Sequence, residues 1–206
     1  LFRSELTDED RVRAAQYSSE RRRRETEVTF ESLDEYLTSL EMVADVRPIE
    51  GADLDRVVQL IGKTNQFNLT TRRHSLARLR EMLATPGTIG RTLRVTDRFG
   101  DHGLVAVVIA VPEPAATVPT LEIDTWLMSC RVINRTVEEF FFNSLVASAR
   151  KAGIGRLIGV YVPTKKNELV KDHYGRLGFE RRDPSDDHRI VYELALTAST
   201  SAKTFV

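Results

Sequence analysis

With a single cysteine, Cys130, in 206 residues, the chain has no partner for an internal disulfide and too few thiolates for a zinc cluster. No metal is expected, and catalysis by the lone thiol stays open. A charge excess of either sign is also missing. Thirty basic residues balance thirty acidic ones, which disfavours a chain built to sit on nucleic acid or anionic lipid. Long apolar runs are absent: the stretch from Leu104 to Pro112 falls far short of the ~20 residues a bilayer helix needs. No charged-then-apolar leader opens the sequence, so the expectation is a soluble, cytoplasmic protein. No internal repeat is found. What is present, 41% apolar and 29% charged side chains, provides for one core rather than two full domains. The start at Leu1 instead of methionine points to an excerpt or a processed product.

Residues 1–42 read as a helical lead-in or linker. Arg21 to Arg24 spread around a helix, Glu20 and Glu25 partly neutralise them, and Phe30, Leu33, Tyr36, Leu37 and Leu40 follow at helical spacing. From Val43 the apolar period alternates between 2 and 3.6. Strands are expected at Val43 to Ile49, Thr92 to Arg98, Leu104 to Val111, Leu121 to Cys130, Arg156 to Val162 and Arg189 to Leu196. Helices are expected at Leu54 to Thr64, at Ser75 to Ala84 with Ser75 as cap, at Val137 to Ala152, and at Asn167 to Leu177. Gly100 and Gly103 suit a hairpin between the second and third strands. The order is α+β, a central mixed sheet with helices on both faces over residues 43–196. The Ser/Thr/Ala-rich stretch 197–206 reads as a flexible tail.

The segment from Asn167 to Phe179 places an asparagine at a helix start, Tyr174 seven residues on, and the turn Leu177-Gly178-Phe179 after it. It resembles motif B of the GNAT N-acetyltransferase fold. The resemblance implies an Asn167 that touches a pantetheine arm and a Tyr174 that protonates a leaving thiolate. The plainer alternative is a packing tyrosine with Gly178 as a helix C-cap. The GNAT pyrophosphate loop would lie between the long central strand and the next helix, where this chain reads Arg131-Val132-Ile133-Asn134-Arg135-Thr136-Val137. There the family places glycines, because bare backbone amides must close on a diphosphate at a helix N-terminus. Here Asn134, Arg135 and Thr136 stand instead, flanked by Val132 and Val137. That disfavours ordinary acetyl-CoA while leaving Arg135 able to pair with a phosphate.

Thr64-Asn65-Gln66-Phe67-Asn68-Leu69-Thr70, together with Glu122 to Val132, is similar to the C-terminal domain of FkbH-like proteins. In these polyketide-pathway enzymes a HAD-like phosphatase domain precedes a GNAT-like domain, and a glyceryl unit is loaded onto an acyl carrier protein. The resemblance spans about residues 20–196. The phosphatase nucleophile pattern Asp-x-Asp-x-Thr does not occur: Asp8-Glu9-Asp10 continues with Arg11 and Val12. The resemblance implies a small acyl substrate carried as a phosphopantetheine or CoA thioester, an acyl carrier protein as partner, and a HAD-like phosphatase domain elsewhere in the full-length chain.

Cys130 is the one side chain able to act as a strong nucleophile near neutral pH, and Arg131 and the following helix amides would favour its thiolate. Its alternative is a small buried hydrophobe. His74 and His173 are candidate bases, and Asn65, Gln66, Asn68, Asp124 and Arg131 could hold a polar acyl or phosphate group. The amides could equally be a hydrogen-bond network at a helix terminus. Three functions follow as expectations: thiol-relay acyl transfer to a carrier protein, direct CoA-dependent N-acetyl transfer with Tyr174 as acid and Glu122 or Asp124 receiving a proton, or a non-catalytic carrier-docking module.

Overall fold

The computed structural model describes residues 18, 21–23, 25–26, 28, 30–182 and 188–206. Seven strands form one mixed sheet in the order β1-β2-β3-β4-β5-β7-β6: β1 Val43–Pro48, β2 Ile89–Asp97, β3 Gly100–Pro112, β4 Thr120–Met128, β5 Arg156–Tyr161, β6 Glu180–Arg181 and β7 Ile190–Ala195. Every pairing is antiparallel except β4 with β5. From residue 30 onward the helices are α1 Leu33–Ser39, α2 Leu54–Lys63, α3 Leu76–Ala84, α4 Val137–Lys151 and α5 His173–Arg176. The mixed sheet covered by helices is the architecture expected from the periodicity. Among the described residues no helix is long and apolar enough to cross a membrane.

Both faces of the central strands are covered, which is why β3 and β4 read as near-continuous apolar runs. On one face Val57, Ile61, Leu79 and Met82 of α2 and α3 pack on Leu104, Val107, Ile109 and Leu127. On the other, Phe141, Phe142 and Leu145 of α4 join Val105, Val108, Trp126 and Met128. Ser75 caps α3 by accepting from the Arg78 amide at 3.2 Å, as its sequence position implied.

Three differences from the sequence reading have physical causes. The lead-in does not stand apart: Tyr36, Leu37, Leu40 and Met42 are buried in the larger core, so a boundary at residue 42 would cut through it. Residues 1–17, 19, 20, 24, 27 and 29 of that segment, Glu20 and Arg24 among them, lie outside the described residues. The segment 197–206, read as flexible, is docked. Asn143 exchanges two 2.8 Å hydrogen bonds with the backbone of Ala202, and the Phe205 amide donates to Thr136 Oγ1 at 2.9 Å. The helix expected over Asn167 to Leu177 is two pieces, because Val170 and Lys171 bond back three residues to form the 3-10 turn Glu168–Val170 before α5 begins.

A buried ion cluster ties the lead-in to the sheet. Arg23 donates to Asp97 through Nε at 2.6 Å and a terminal nitrogen at 2.9 Å, and His102 Nε2 lies 3.0 Å from the same carboxylate. Burial by itself would raise the Asp97 pKa. The bonds from His102, Arg23 and the Phe99 amide outweigh it and hold the carboxyl well below the usual range. A carboxylate with a depressed folded pKa stabilises the fold above its unfolded pKa and loses that contribution as pH falls toward the folded value. Asp97→Asn is therefore expected to cost about 3–5 kcal/mol at pH 7, the penalty for stranding a buried charge. Urea unfolding at pH 7 and pH 3 should also show a smaller loss of stability on acidification in the variant than in wild type.

Candidate functional site

β4 and β5 pair in parallel only from Thr120–Arg156 to Ile123–Gly159. The partners Ile123–Ala110 and Thr125–Ile109 leave Asp124 as the extra residue of a bulge on β4. Beyond it the two strands separate, and the gap is filled by the chain itself. The Leu69 amide donates to the Trp126 carbonyl at 3.2 Å, the Met128 amide to the Phe67 carbonyl at 3.0 Å, and the Val162 amide to the Leu69 carbonyl at 2.8 Å. Residues 67–69 thus form a short strap between the diverging strands, antiparallel to β4. Asn167 clamps it, with Nδ2 donating to the carbonyls of Asn68 at 2.9 Å and Val162 at 3.0 Å, while Oδ1 accepts from the Thr164 amide at 2.8 Å.

The bulge carries a polar network. His74 Nε2 lies 2.7 Å from Asp124 Oδ1, which also accepts from Thr125 Oγ1 at 2.8 Å. Arg72 bonds the other Asp124 oxygen and reaches Glu122 at 3.1 Å, and Arg189 holds Glu122 at 2.9 Å. Burial works to raise the Asp124 pKa, but the bonds from His74 and Thr125 and the Arg72 charge prevail and lower it. His74 and Asp124, singled out separately in the sequence, form one dyad. Arg189 was missed; it sits beside residues 183–187, which lie outside the described residues, and nothing in its spacing marks it.

The other candidates fall elsewhere. His173 is fully buried, its ring edge-on to Phe67 and Trp126 with centroids 4.9 and 4.6 Å apart, and its Nε2 has no hydrogen-bond partner among the described residues. Burial, assisted by the Arg176 charge, pushes its pKa down to about 3, so it is a neutral packing ring rather than a base in contact with solvent. Tyr174 is buried too, and burial raises the pKa of its hydroxyl. Its ring lies so close on β5 that a Cβ at Gly159 would meet it at 2.5 Å. The packing alternative for Tyr174 is what its surroundings show. Asn68 supports the strap's exit: its Oδ1 accepts at 2.9 Å from the amide of Thr71, which has φ 55°.

Cys130 is exposed, in the 3-10 turn Cys130–Val132 that follows β4. It opens into a cleft of 620 Å³ shared with Lys63, Asn65, Gln66, Lys165 and Lys166. A smaller hollow of 360 Å³ shares Asn65 and both lysines and adds Arg73. Lys63 was not recognised in the sequence because it belongs to α2 and reaches the cleft only through the fold. At ~3.3 Å per residue, the steps from Asp124 to Met128 put about 13 Å between the dyad and this end of the strand. The dyad and Cys130 are separate centres. Arg131, next in the turn, donates to Ser129 Oγ and to the His102 carbonyl, both at 3.2 Å, and lines a second cleft with Arg56 and Arg94.

The residues available do not fit a coenzyme A thioester in the gap between β4 and β5. The strap already holds the peptide groups an extended pantetheine would bond. Asn134 and Thr136 keep left-handed φ values of 62° and 60° but carry side chains, and Val132 and Val137 are core residues. The Asn134 amide is taken at 2.7 Å by the buried carboxylate of Glu138, whose pKa burial raises. Arg135 and Thr136 are half-buried, and Thr136 is further engaged by the 204–205 backbone and side chains.

The burial of His173 has a measurable consequence. Its folded pKa near 3 lies below the ~6.5 of an unfolded histidine, so the unfolded chain takes up a proton that the folded one refuses. The stability it contributes is present above pH 6.5 and is lost as pH falls toward 3. In His173→Phe the drop in unfolding free energy between pH 7 and pH 5 should shrink, whatever the variant's absolute stability; an unchanged drop would show the imidazole charged in the folded state.

No family model matches the chain, and no curated protein sequence matches it. Solved structures do. The GNAT domain of S. lividans PAT superposes with a TM-score of 0.57 at 20% identity, covering 74% of this chain and 90% of that one. The ribosomal-protein-S18-alanine N-acetyltransferase from Escherichia coli gives 0.55 at 13% identity, covering 76% and 96%. An acetyltransferase of the GNAT family from Staphylococcus aureus gives 0.56 at 9%, covering 75% and 100%. The sheet order, the parallel β4–β5 pair and these superpositions together establish that the chain has the GNAT acyltransferase fold.

Proposed function

We propose that this domain is an acyltransferase that carries a small polar acyl group, of glyceryl type, on the sulfur of Cys130 and exchanges it with the thiol of an acyl carrier protein in polyketide assembly. The observation that carries the reading is the exposed Cys130 at a cleft lined by Lys63, Lys165 and Lys166. Among the described residues none of these lysines is paired with a carboxylate, so three ammonium groups are free to meet an anionic ligand. Asn65 and Gln66 add amide donors and acceptors suited to a hydroxylated acyl group. The exchange balances without a co-reactant: one C–S bond forms as the other breaks, and the proton of the attacking thiol ends on the departing one.

Charge complementarity supports a carrier as partner. Arg131, next to Cys130, lines a second cleft with Arg56 and Arg94, where Asp101 and the Asp53 partner of Arg94 offset part of the charge, and an acidic carrier surface would be steered chiefly by the lysines of the Cys130 cleft. A HAD-like phosphatase domain of the full-length chain, proposed from the FkbH resemblance, would supply the acyl group. The closed gap between β4 and β5 favours one second reading, a module that docks the carrier without chemistry of its own.

Intact-protein mass spectrometry after incubation with glyceryl-loaded carrier protein tests both. Wild type should gain one glyceryl increment and Cys130→Ala none, whereas an adduct on Cys130→Ala would defeat the cysteine assignment. Lys165→Glu/Lys166→Glu should slow loading by about 10- to 100-fold, as expected for lost steering and binding, while alkylation of Cys130 by the uncharged reagent iodoacetamide slows far less. Carrier binding with no adduct on wild type would move the assignment to the docking module.

A further inference from the structure

We infer that this domain has given its fold's coenzyme A site over to its own chain: the strap at residues 67–69 is a permanent strand of the sheet, and the protein does not bind coenzyme A. The inference stands on the strap and on the loop before α4, and does not depend on which residue carries an acyl group.

An extended ligand between diverging strands needs free peptide groups along the edge of β4. Here the Trp126 carbonyl and the Met128 amide are both bonded to the strap, and across the gap the Val162 amide is bonded as well. Asn167, which motif B would aim at a pantetheine, instead spends both Nδ2 hydrogens on the carbonyls of Asn68 and Val162. A lid would present a polar underside and could swing out into water. This segment buries Phe67, Asn68 and Leu69 almost completely, Phe67 against the His173 ring, and Thr70 Oγ1 anchors its end on the Asp124 carbonyl at 2.8 Å. Lifting it would expose two large apolar side chains and leave four buried polar groups unpaired. The anion end is closed independently. The Glu138 side chain takes up the Asn134 amide, which leaves it no hydrogen for a diphosphate, and Thr136 is tied to the 204–205 segment.

Calorimetry with CoA and acetyl-CoA at 1 mM, run beside amide hydrogen exchange with and without CoA, tests the inference. The expected result is no heat of binding, and slow exchange at Leu69, Met128 and Val162 that CoA leaves unchanged. Saturable binding of CoA would overturn it, and altered protection at Leu69 or Met128 would place that binding at the strap. Asn167→Ala, which removes the clamp without touching the strap's own residues, should speed exchange at Leu69 at least tenfold; exchange at the wild-type rate would show that Asn167 does not hold the strap. Formation or failure of a Cys130 adduct leaves these outcomes unaffected, so the two readings fail separately.

Discussion

Past Ile123, the peptide groups on one edge of β4 lose the partners that β5 supplied, and they do so inside a sheet covered on both faces. Buried amides and carbonyls must be paired, and most of the distinctive structure around the site follows from how they are. Residues 67–69 supply the missing backbone, and Asn167 fixes that backbone from the opposite side. The side chains that accompany this solution, Phe67, His173, Tyr174 and Trp126, stack edge-on or tilted into one aromatic cluster. Tyr174 can lie over β5 only because residue 159 has no Cβ. The backbone constraint thus converts a motif associated with thioester handling into packing.

Closing the gap displaces polar chemistry to its two ends. At the bulge, Asp124 gathers His74, Arg72 and Thr125 into a half-buried ion network linked through Glu122 to Arg189. The carboxylate stays anionic there, because hydrogen bonds and the guanidinium charge exceed the desolvation that burial imposes. At the other end, the turn after β4 turns the Cys130 side chain outward and sets lysines from α2 and from the loop before Asn167 around it. One end is a paired ion network; at the other, among the described residues, the lysines have no carboxylate partner and leave charge for a ligand.

Parts of this arrangement could be read from single residues. Ser75 as a cap, the glycine-bearing hairpin before Gly103, and the apolar strands at the centre were legible because each depends on neighbours a few positions away. His74 and Asp124 were recognised as polar residues in an informative place but not as a pair, since 50 positions separate them. Phe67, Asn68 and Leu69 alternate as a strand does, yet three residues are too short for periodicity to register. Thr136, read as part of a ligand loop, is partnered instead by residues 204 and 205, which composition alone marked as loose.

The order of strands and helices apart from the two-residue β6, the covered central strands, the balanced charge and the single thiol belong to the sequence itself. Local period, capping and composition are enough to specify them. What only the tertiary structure decided is which backbone completes β4, and therefore which side chains face solvent. The strap's partners lie 57 and more residues along the chain, and pairings at that distance are set by buried hydrogen bonds and packing that no local pattern encodes. For that reason Asn167 and Tyr174 became interior structure and Cys130 remained at the surface, although the sequence alone allowed either placement for Tyr174 and Cys130.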